Sequence, residues 1–249
     1  MKYCFYFILI FAFGCDQNRD STNGTTLEVP GTYKIIQNEG VENADSYIEL
    51  NDSTAVVYYL SESSNHPFVL HNYSINNVDS NNYLQLPLST NRTFLIQSTE
   101  NGSTLLYPTF GSKDTLELEY QSKKWKLEDI EGSWVNSIYL EREKSSFPPP
   151  PIILDSIDES ALLPWPPNIV LSKDTIIFNE YISKKSSIQF DPSNQLIKMS
   201  LYRPFQYYKD AVWKIKSVTD STMIVDQYQF SLDSLKTYVI RDQLYKKQQ

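Results

Sequence analysis

His66 and His71 are the two histidines of the chain, five residues apart in "NHPFVLH". On a strand an odd separation puts them on opposite faces, which sets them poorly to grip one metal ion. A Ser-His-acid site would need one of them, and no Gly-x-Ser-x-Gly turn accompanies either. The seven glycines form no phosphate-cradling loop. Carboxylates cluster at Glu128, Asp129 and Glu131, and again at Asp155, Asp158 and Glu159. A glycosidase holds two carboxylates ~5–10 Å apart in a cleft, but most carboxylates simply lie in water. These residues predict no catalytic site, no metal and no cofactor. Aromatic residues are the better candidates for contact. In the adjacent pairs Tyr58-Tyr59 and Tyr207-Tyr208 one ring of each faces out if the segment is a strand, and an exposed Tyr can stack on a sugar or a protein. Trp165 stands between Pro164 and Pro166, where a central strand cannot run. It is expected either to fold over a cavity as a lid or to staple its loop to the core. Trp165, Tyr207 and Tyr208 are the expected ligand or partner contacts.

The remaining chemical group is the thiol of Cys15, at the end of "ILIFAFGC". After Met1-Lys2, the apolar run from Tyr3 to Gly14 spans only ~18 Å as a helix, too short for a bilayer. It has the length of a secretory signal core. Ala12 and Gly14 are narrow residues near a scissile bond, and a cysteine follows directly. The segment resembles a bacterial lipoprotein signal, although the usual box has Leu at Ala12 and a small residue at Phe13. The resemblance implies cleavage of residues 1–14 and acylation of Cys15. Cys4 would leave with the signal, so the mature domain would hold no disulfide. Polar "DQNRDSTNGTT" then reads as a flexible tether over 15–30.

Net charge is −8, and loss of Lys2 would make the mature chain one unit more negative. That balance disfavours nucleic acid, whose phosphates call for Lys and Arg. It also disfavours a polybasic grip on lipid, which leaves the acyl chains as the membrane contact. The 18 Tyr and 12 Phe, with many Ile, Val and Thr, favour strands. Asn, Asp and Ser clusters about every ten residues give the spacing of an all-β sandwich or barrel. Strands are expected at 32–37, 46–51, 54–60, 68–75, 82–86, 93–97, 104–107, 114–120, 133–142, 169–171, 175–182, 187–190, 195–201, 211–216, 222–230 and 235–241. Residues 145–168, with Pro148 to Pro151, break the rhythm as a stiff insert.

The chain repeats itself. "GTYKI" at 31–35 answers "GSWVN" at 132–136, and "IELNDSTAV" at 48–56 answers "IVLSKDTII" at 169–177. "IQSTENGSTLL" at 96–106 answers "IKSVTDSTMIV" at 215–225, and "DTLELEY" at 114–120 answers "SLKTYVI" at 234–240. Four ordered matches point to a duplicated unit, 31–131 and 132–249, with the insert carried by the second alone.

The second unit resembles the lipocalin-like domains of envelope lipoproteins of the Bacteroidota. It carries Gly132-Ser133-Trp134 like the G-x-W motif, Thr219-Asp220 like the T-D pair, and Arg241 on the last strand. The resemblance implies that Arg241 packs over Trp134 and closes one end of a barrel, while a ligand enters at the other. Tyr33 and Gln121 take the matching places in the first unit. Asp followed by Ser or Thr, as at Asp52, Asp174 and Asp220, resembles the O-glycosylation signal of such proteins and is equally ordinary turn chemistry. The expectation is an all-β chain of two related antiparallel lipocalin-like barrel or half-barrel units with little helix. Its expected role is that of a non-enzymatic envelope lipoprotein held at the outer membrane through acylated Cys15, with a small apolar molecule or another envelope component as partner. The alternatives are a carbohydrate-binding or carbohydrate-processing surface protein and a structural assembly subunit.

Overall fold

The computed structural model describes residues 27–37, 45–62, 64–87, 91–110, 115–146, 163, 165–180, 183–200, 208–231 and 234–248. The first sheet holds β1 (Gly31–Gln37), β2 (Asp45–Leu50), β3 (Thr54–Leu60), β4 (Phe68–Asn72), β5 (Ser74–Val78), β6 (Asn81–Pro87), β7 (Asn91–Ser98), β8 (Thr104–Pro108) and β9 (Leu116–Tyr120). The second holds β10 (Gly132–Asn136), β11 (Asn168–Leu171), β12 (Thr175–Asn179), β13 (Ser183–Phe190), β14 (Leu196–Ser200), β15 (Tyr208–Val218), β16 (Thr222–Ser231) and β17 (Lys236–Lys247). Strands adjacent in sequence pair antiparallel except β4 with β5 and β9 with β10, and β17 returns to β10 to close the second barrel. In the first, β9 returns to β1. There β4 and β5 are one strand broken at Tyr73: β4 pairs β3, and β5 pairs β6. β13 does the same unbroken, pairing β12 with its first half and β14 with its second. The chain is thus all-β, two antiparallel barrels in tandem, the first nearly closed and the second closed.

The repeat holds at the level of register. Gly31 faces Leu50 and Gly132 faces Leu171; Leu50 faces Ala55 and Leu171 faces Ile176; Ile96 faces Leu106 and Ile215 faces Val225. The last matched block does not hold. Leu116 of β9 faces Leu106, and the residue facing Val225 is Gln243. "DTLELEY" therefore corresponds to 241–247, seven residues beyond the expected "SLKTYVI". The backbone N–H of Gln121 donates to Thr32 at 2.8 Å, as that of Gln248 does to Ser133 at 2.8 Å. β17 runs 12 residues and contains a bulge, which hides its true register from a match of alternating letters.

Two other segments differ from expectation. The strand expected over 133–142 stops at Asn136, whose Oδ1 accepts the N–H of Ile138 at 3.1 Å and turns the chain into α2 (Ile138–Glu141). A second short helix, α1 (Leu127–Ile130), precedes β10. The turns at Asp52, Asp174 and Asp220 join β2 to β3, β11 to β12, and β15 to β16. At the second, the Thr175 hydroxyl donates to Asp174 at 2.9 Å.

Inside the first barrel Leu84, Phe94, Ile96, Leu106 and Leu118 fill the core. β3 is apolar on both faces: Ala55 and Val57 point into that core, while Val56, Tyr58 and Leu60 point out. A strand buried on both sides reads as a continuous apolar run, as "AVVYYL" does. Its outer face meets the outer face of the second barrel. Tyr47, Val56, Tyr58, Leu60 and Phe68 pack with Leu196, Val212 and Tyr228 into one buried cluster. Charge lies inside this interface. Glu49, 1 % exposed, accepts the Tyr58 hydroxyl and Asn51 Nδ2 at 2.8 Å, and its Oε2 lies 3.7 Å from Lys198 Nζ. Burial lowers the pKa of Lys198 and the Glu49 charge restores part of it; burial also lifts the Tyr58 phenol well above its ordinary value. Asp191 accepts the Thr32 hydroxyl from the other barrel at 2.6 Å, together with the backbone N–H groups of Ser193, Gln195 and Leu196.

Removing one partner of a buried pair leaves the other charge without water or counter-ion. Lys198→Met should lower the unfolding free energy by about 3–5 kcal/mol. The double variant Glu49→Gln/Lys198→Met should recover most of that loss in urea denaturation. A single-variant loss no larger than the ~0.5 kcal/mol of a surface change would show that the pair does not hold the barrels together.

Candidate functional site

The G-x-W motif builds the floor of the second barrel. Trp134 is fully buried on β10, and its indole N–H donates to the carbonyl of Ile130 at 2.8 Å. Opposite it on β17 stands Lys247, whose Nζ lies 5.2 Å from the centre of the Trp134 ring. Gly132 is required here. Its φ is +136°, and a Cβ at this position would come within 2.8 Å of Lys247 Cε. The cation over Trp134 is therefore Lys247 and not Arg241. Arg241 is exposed and lies six residues earlier on β17, about 20 Å along the strand. It sits at the bulge, where Asp242 takes φ 53° and gives its N–H to the buried Asp226 at 2.8 Å. In the first barrel Tyr33 faces Tyr120, ring centres 5.5 Å apart and edge-on. Tyr120, rather than Gln121, is the ring's neighbour; the Gln121 amide turns back to the carbonyl of Glu119 at 3.1 Å. Burial pushes the Tyr33 phenol up to about 12.

Above the Trp134 floor lies a cavity of about 310 Å³. It reaches towards the barrel end where β10 connects to β11, β12 to β13, and β16 to β17. Its aromatic wall is Phe178, Trp213 and Tyr245 above Trp134. Trp213 stacks on Tyr245 at 5.5 Å and meets Phe178 edge-on at 6.4 Å. The Trp213 indole N–H is buried without a hydrogen-bond partner. The other wall is made of amides. Gln229 Nε2 donates to Gln227 Oε1 at 3.0 Å, and Gln227 Nε2 donates to the Tyr245 hydroxyl at 2.7 Å. Asn136 Nδ2 donates to Gln243 Oε1 at 3.0 Å. Among the described residues Glu180 is the one acidic residue of the wall, and no Lys, Arg, His, Ser or Cys lines it.

β16 explains how sequence alternation builds this wall. Its inward residues are Met223, Val225, Gln227 and Gln229, apolar near the floor and amide near the mouth. The amides were not among the expected contacts. Their signal was the period of two in "TMIVDQYQF", which puts two glutamines on the face that Met223 and Val225 commit to the interior.

Of the expected contact residues, Trp165 lies beside the cavity. Its ring meets that of Tyr139 edge-on at 5.4 Å, and Tyr139 lines the wall together with Pro167 and Asn168. Tyr208 opens β15 opposite Ser231. Cys15, Tyr207, Pro148 to Pro151 and the carboxylates Asp155, Asp158 and Glu159 lie outside the described residues. Tyr58 is buried in the interface, while Tyr59 is 37 % exposed. The His66 ring lies tilted against Phe230 at 4.5 Å and His71 belongs to β4, both away from the cavity wall. Among the described residues no group of acidic, His or Cys side chains is arranged to hold a metal, and no helix is long and apolar enough to cross a membrane. Comparison of the chain with known protein families, with curated proteins and with solved structures gives no match.

The floor gives a direct test. Gly132→Ala forces a Cβ into the Lys247 stem at a backbone angle that L-residues avoid, and should cost about 1–3 kcal/mol. Arg241→Ala should stay within ~0.5 kcal/mol of the parent chain. Chemical denaturation of the two variants checks both, and the opposite ranking would return the floor contact to Arg241.

Proposed function

We propose that this chain is a non-enzymatic binding protein of a bacterial cell envelope, anchored by lipid on Cys15, with the second barrel as its ligand chamber. The observation that carries the reading is the cavity above Trp134. Its volume lies at the small end of the ~300–1,000 Å³ range of ligand pockets. It combines apolar rings with a few positioned polar groups, the usual make-up of such a site. It faces the barrel end away from the floor, beside the Trp165–Tyr139 contact. A binding rather than a processing role follows from its chemistry. Glycoside hydrolysis uses two carboxylates ~5–10 Å apart, and among the described residues the wall has Glu180 alone. Nucleophilic catalysis needs an activated Ser, Cys or Lys beside a base, and the described wall has none of these. The anchor rests on the signal-like run that ends at Cys15. The first barrel then serves as a docked support that holds the outer faces of β14, β15 and β16.

Two experiments test the two halves of the proposal. Cys15→Ser should release the protein from the membrane fraction and abolish the mass of the acyl chains; unchanged membrane association would overturn the anchor. Native mass spectrometry of the protein from its own cells should show a bound small molecule. Gln229→Trp at the mouth should abolish that added mass while the β circular dichroism signal persists. A parent chain that flies without ligand would remove the chamber.

A further inference from the structure

We infer that the ligand of the second barrel is a neutral saccharide, about one or two rings long, held by the Gln227–Gln229–Gln243 amides against the Trp213–Tyr245 stack. This inference rests on the reading of the cavity as a ligand chamber and adds the class of molecule it takes.

Charge narrows the class first. Among the described residues an anion would find no Lys, Arg or His on the wall and would face Glu180, in a chain of net charge −8. On the described wall a fatty acid or phosphate headgroup therefore meets no counter-ion. A quaternary ammonium calls for open aromatic faces around it. Here one face of Trp134 carries Lys247 at 5.2 Å and one face of Trp213 is covered by Tyr245 at 5.5 Å, so the rings present single faces rather than a surrounding cage. The described wall therefore suits an uncharged ligand.

The amides then separate apolar from polar ligands. A Gln side chain offers two N–H donors and two carbonyl lone pairs. Gln227 uses one donor on Tyr245 and one lone pair on Gln229. Gln243 uses one lone pair on Asn136 and one donor on the carbonyl of Arg241 at 3.3 Å. Each keeps a donor and an acceptor. Filling the chamber with a hydrocarbon would shut those groups away from water at about 1–3 kcal/mol each. Sugar hydroxyls both donate and accept, so neighbouring hydroxyls can engage the free donor and acceptor of one amide together. The C–H face of the sugar ring is apolar and suits the flat indole and phenol surfaces. Amides cross-linked to one another and to Tyr245 are also held in place before the ligand arrives, which limits the ordering cost of binding.

The test titrates the full chain, by calorimetry and tryptophan fluorescence, with neutral hexoses, N-acetylhexosamines and their disaccharides, and with palmitate and choline as contrasting probes. The expected result is saturable binding of at least one neutral sugar, with a change in tryptophan emission and no binding of palmitate or choline. Gln227→Leu should weaken that sugar at least tenfold. Gln229→Leu, at the half-exposed mouth, should weaken it in the same direction should the first variant fail to fold. Palmitate binding that Gln227→Leu strengthens would overturn the saccharide assignment and keep the chamber. Choline binding without sugar binding would do the same. No binding by any probe, with no ligand on the native protein, would overturn both. Sugar affinity unchanged in both glutamine variants would place the sugar elsewhere and also overturn the inference.

Discussion

The ion pair between Glu49 and Lys198 sits where two barrels press their outer walls together, and much of the molecule follows from that contact. A buried carboxylate and ammonium are tolerable only when each is paired and hydrogen-bonded. Glu49 meets the condition with Lys198, Tyr58 and Asn51. Those partners come from both barrels, so neither barrel satisfies its own surface alone. Asp191 repeats the device by organising the β13–β14 turn while accepting Thr32 from across the interface. Apolar packing around these groups supplies the attraction, and the charges set the register in which the walls meet.

That contact also bears on the cavity. Successive residues of β15 and β16 point alternately out and in. Val212 and Tyr228 point out into the interface, while Trp213 and Gln227 point in to line the chamber. The first barrel thus backs the same strands whose inner faces would hold a ligand. A wall fixed from behind keeps its side chains in place, which is what a binding site with cross-linked amides needs.

The two barrels share one meander and register but differ in their interiors. Phe94 and Trp213 occupy matching places, as do Leu118 and Tyr245, and Tyr33 and Trp134. The difference is length. β7, β8 and β9 run 8, 5 and 5 residues, while β15, β16 and β17 run 11, 10 and 12. By the shared register the place of Gln227 in the first barrel is Pro108, the end of its strand. The second barrel adds height above these matched rings, and Gln229 at the top of its wall falls beyond the end of the matching strand β8.

The parts of this arrangement differ in how openly the sequence shows them. Alternation in "DTLELEY" and the paired turns made the strands and the repeat legible, because local period survives in one dimension. β3 announced its two buried faces through "AVVYYL". Arg241 was misplaced because the bulge at Asp242 shifts the register of β17, and a bulge leaves no mark in a pattern of alternating letters. Lys247 was missed because a lysine in a polar C-terminal stretch reads as solvated surface, whereas Gly132 across the strand leaves room for its stem to cross the backbone to a ring. Glu49 and Lys198 were hidden for a related reason: a charge on a strand normally marks the wet face, and only the second barrel makes that face dry. The chamber glutamines follow the same logic in reverse. They lie on the inward row of β16, so their polarity is uncompensated by bulk water and must be answered by one another or by something held in the chamber.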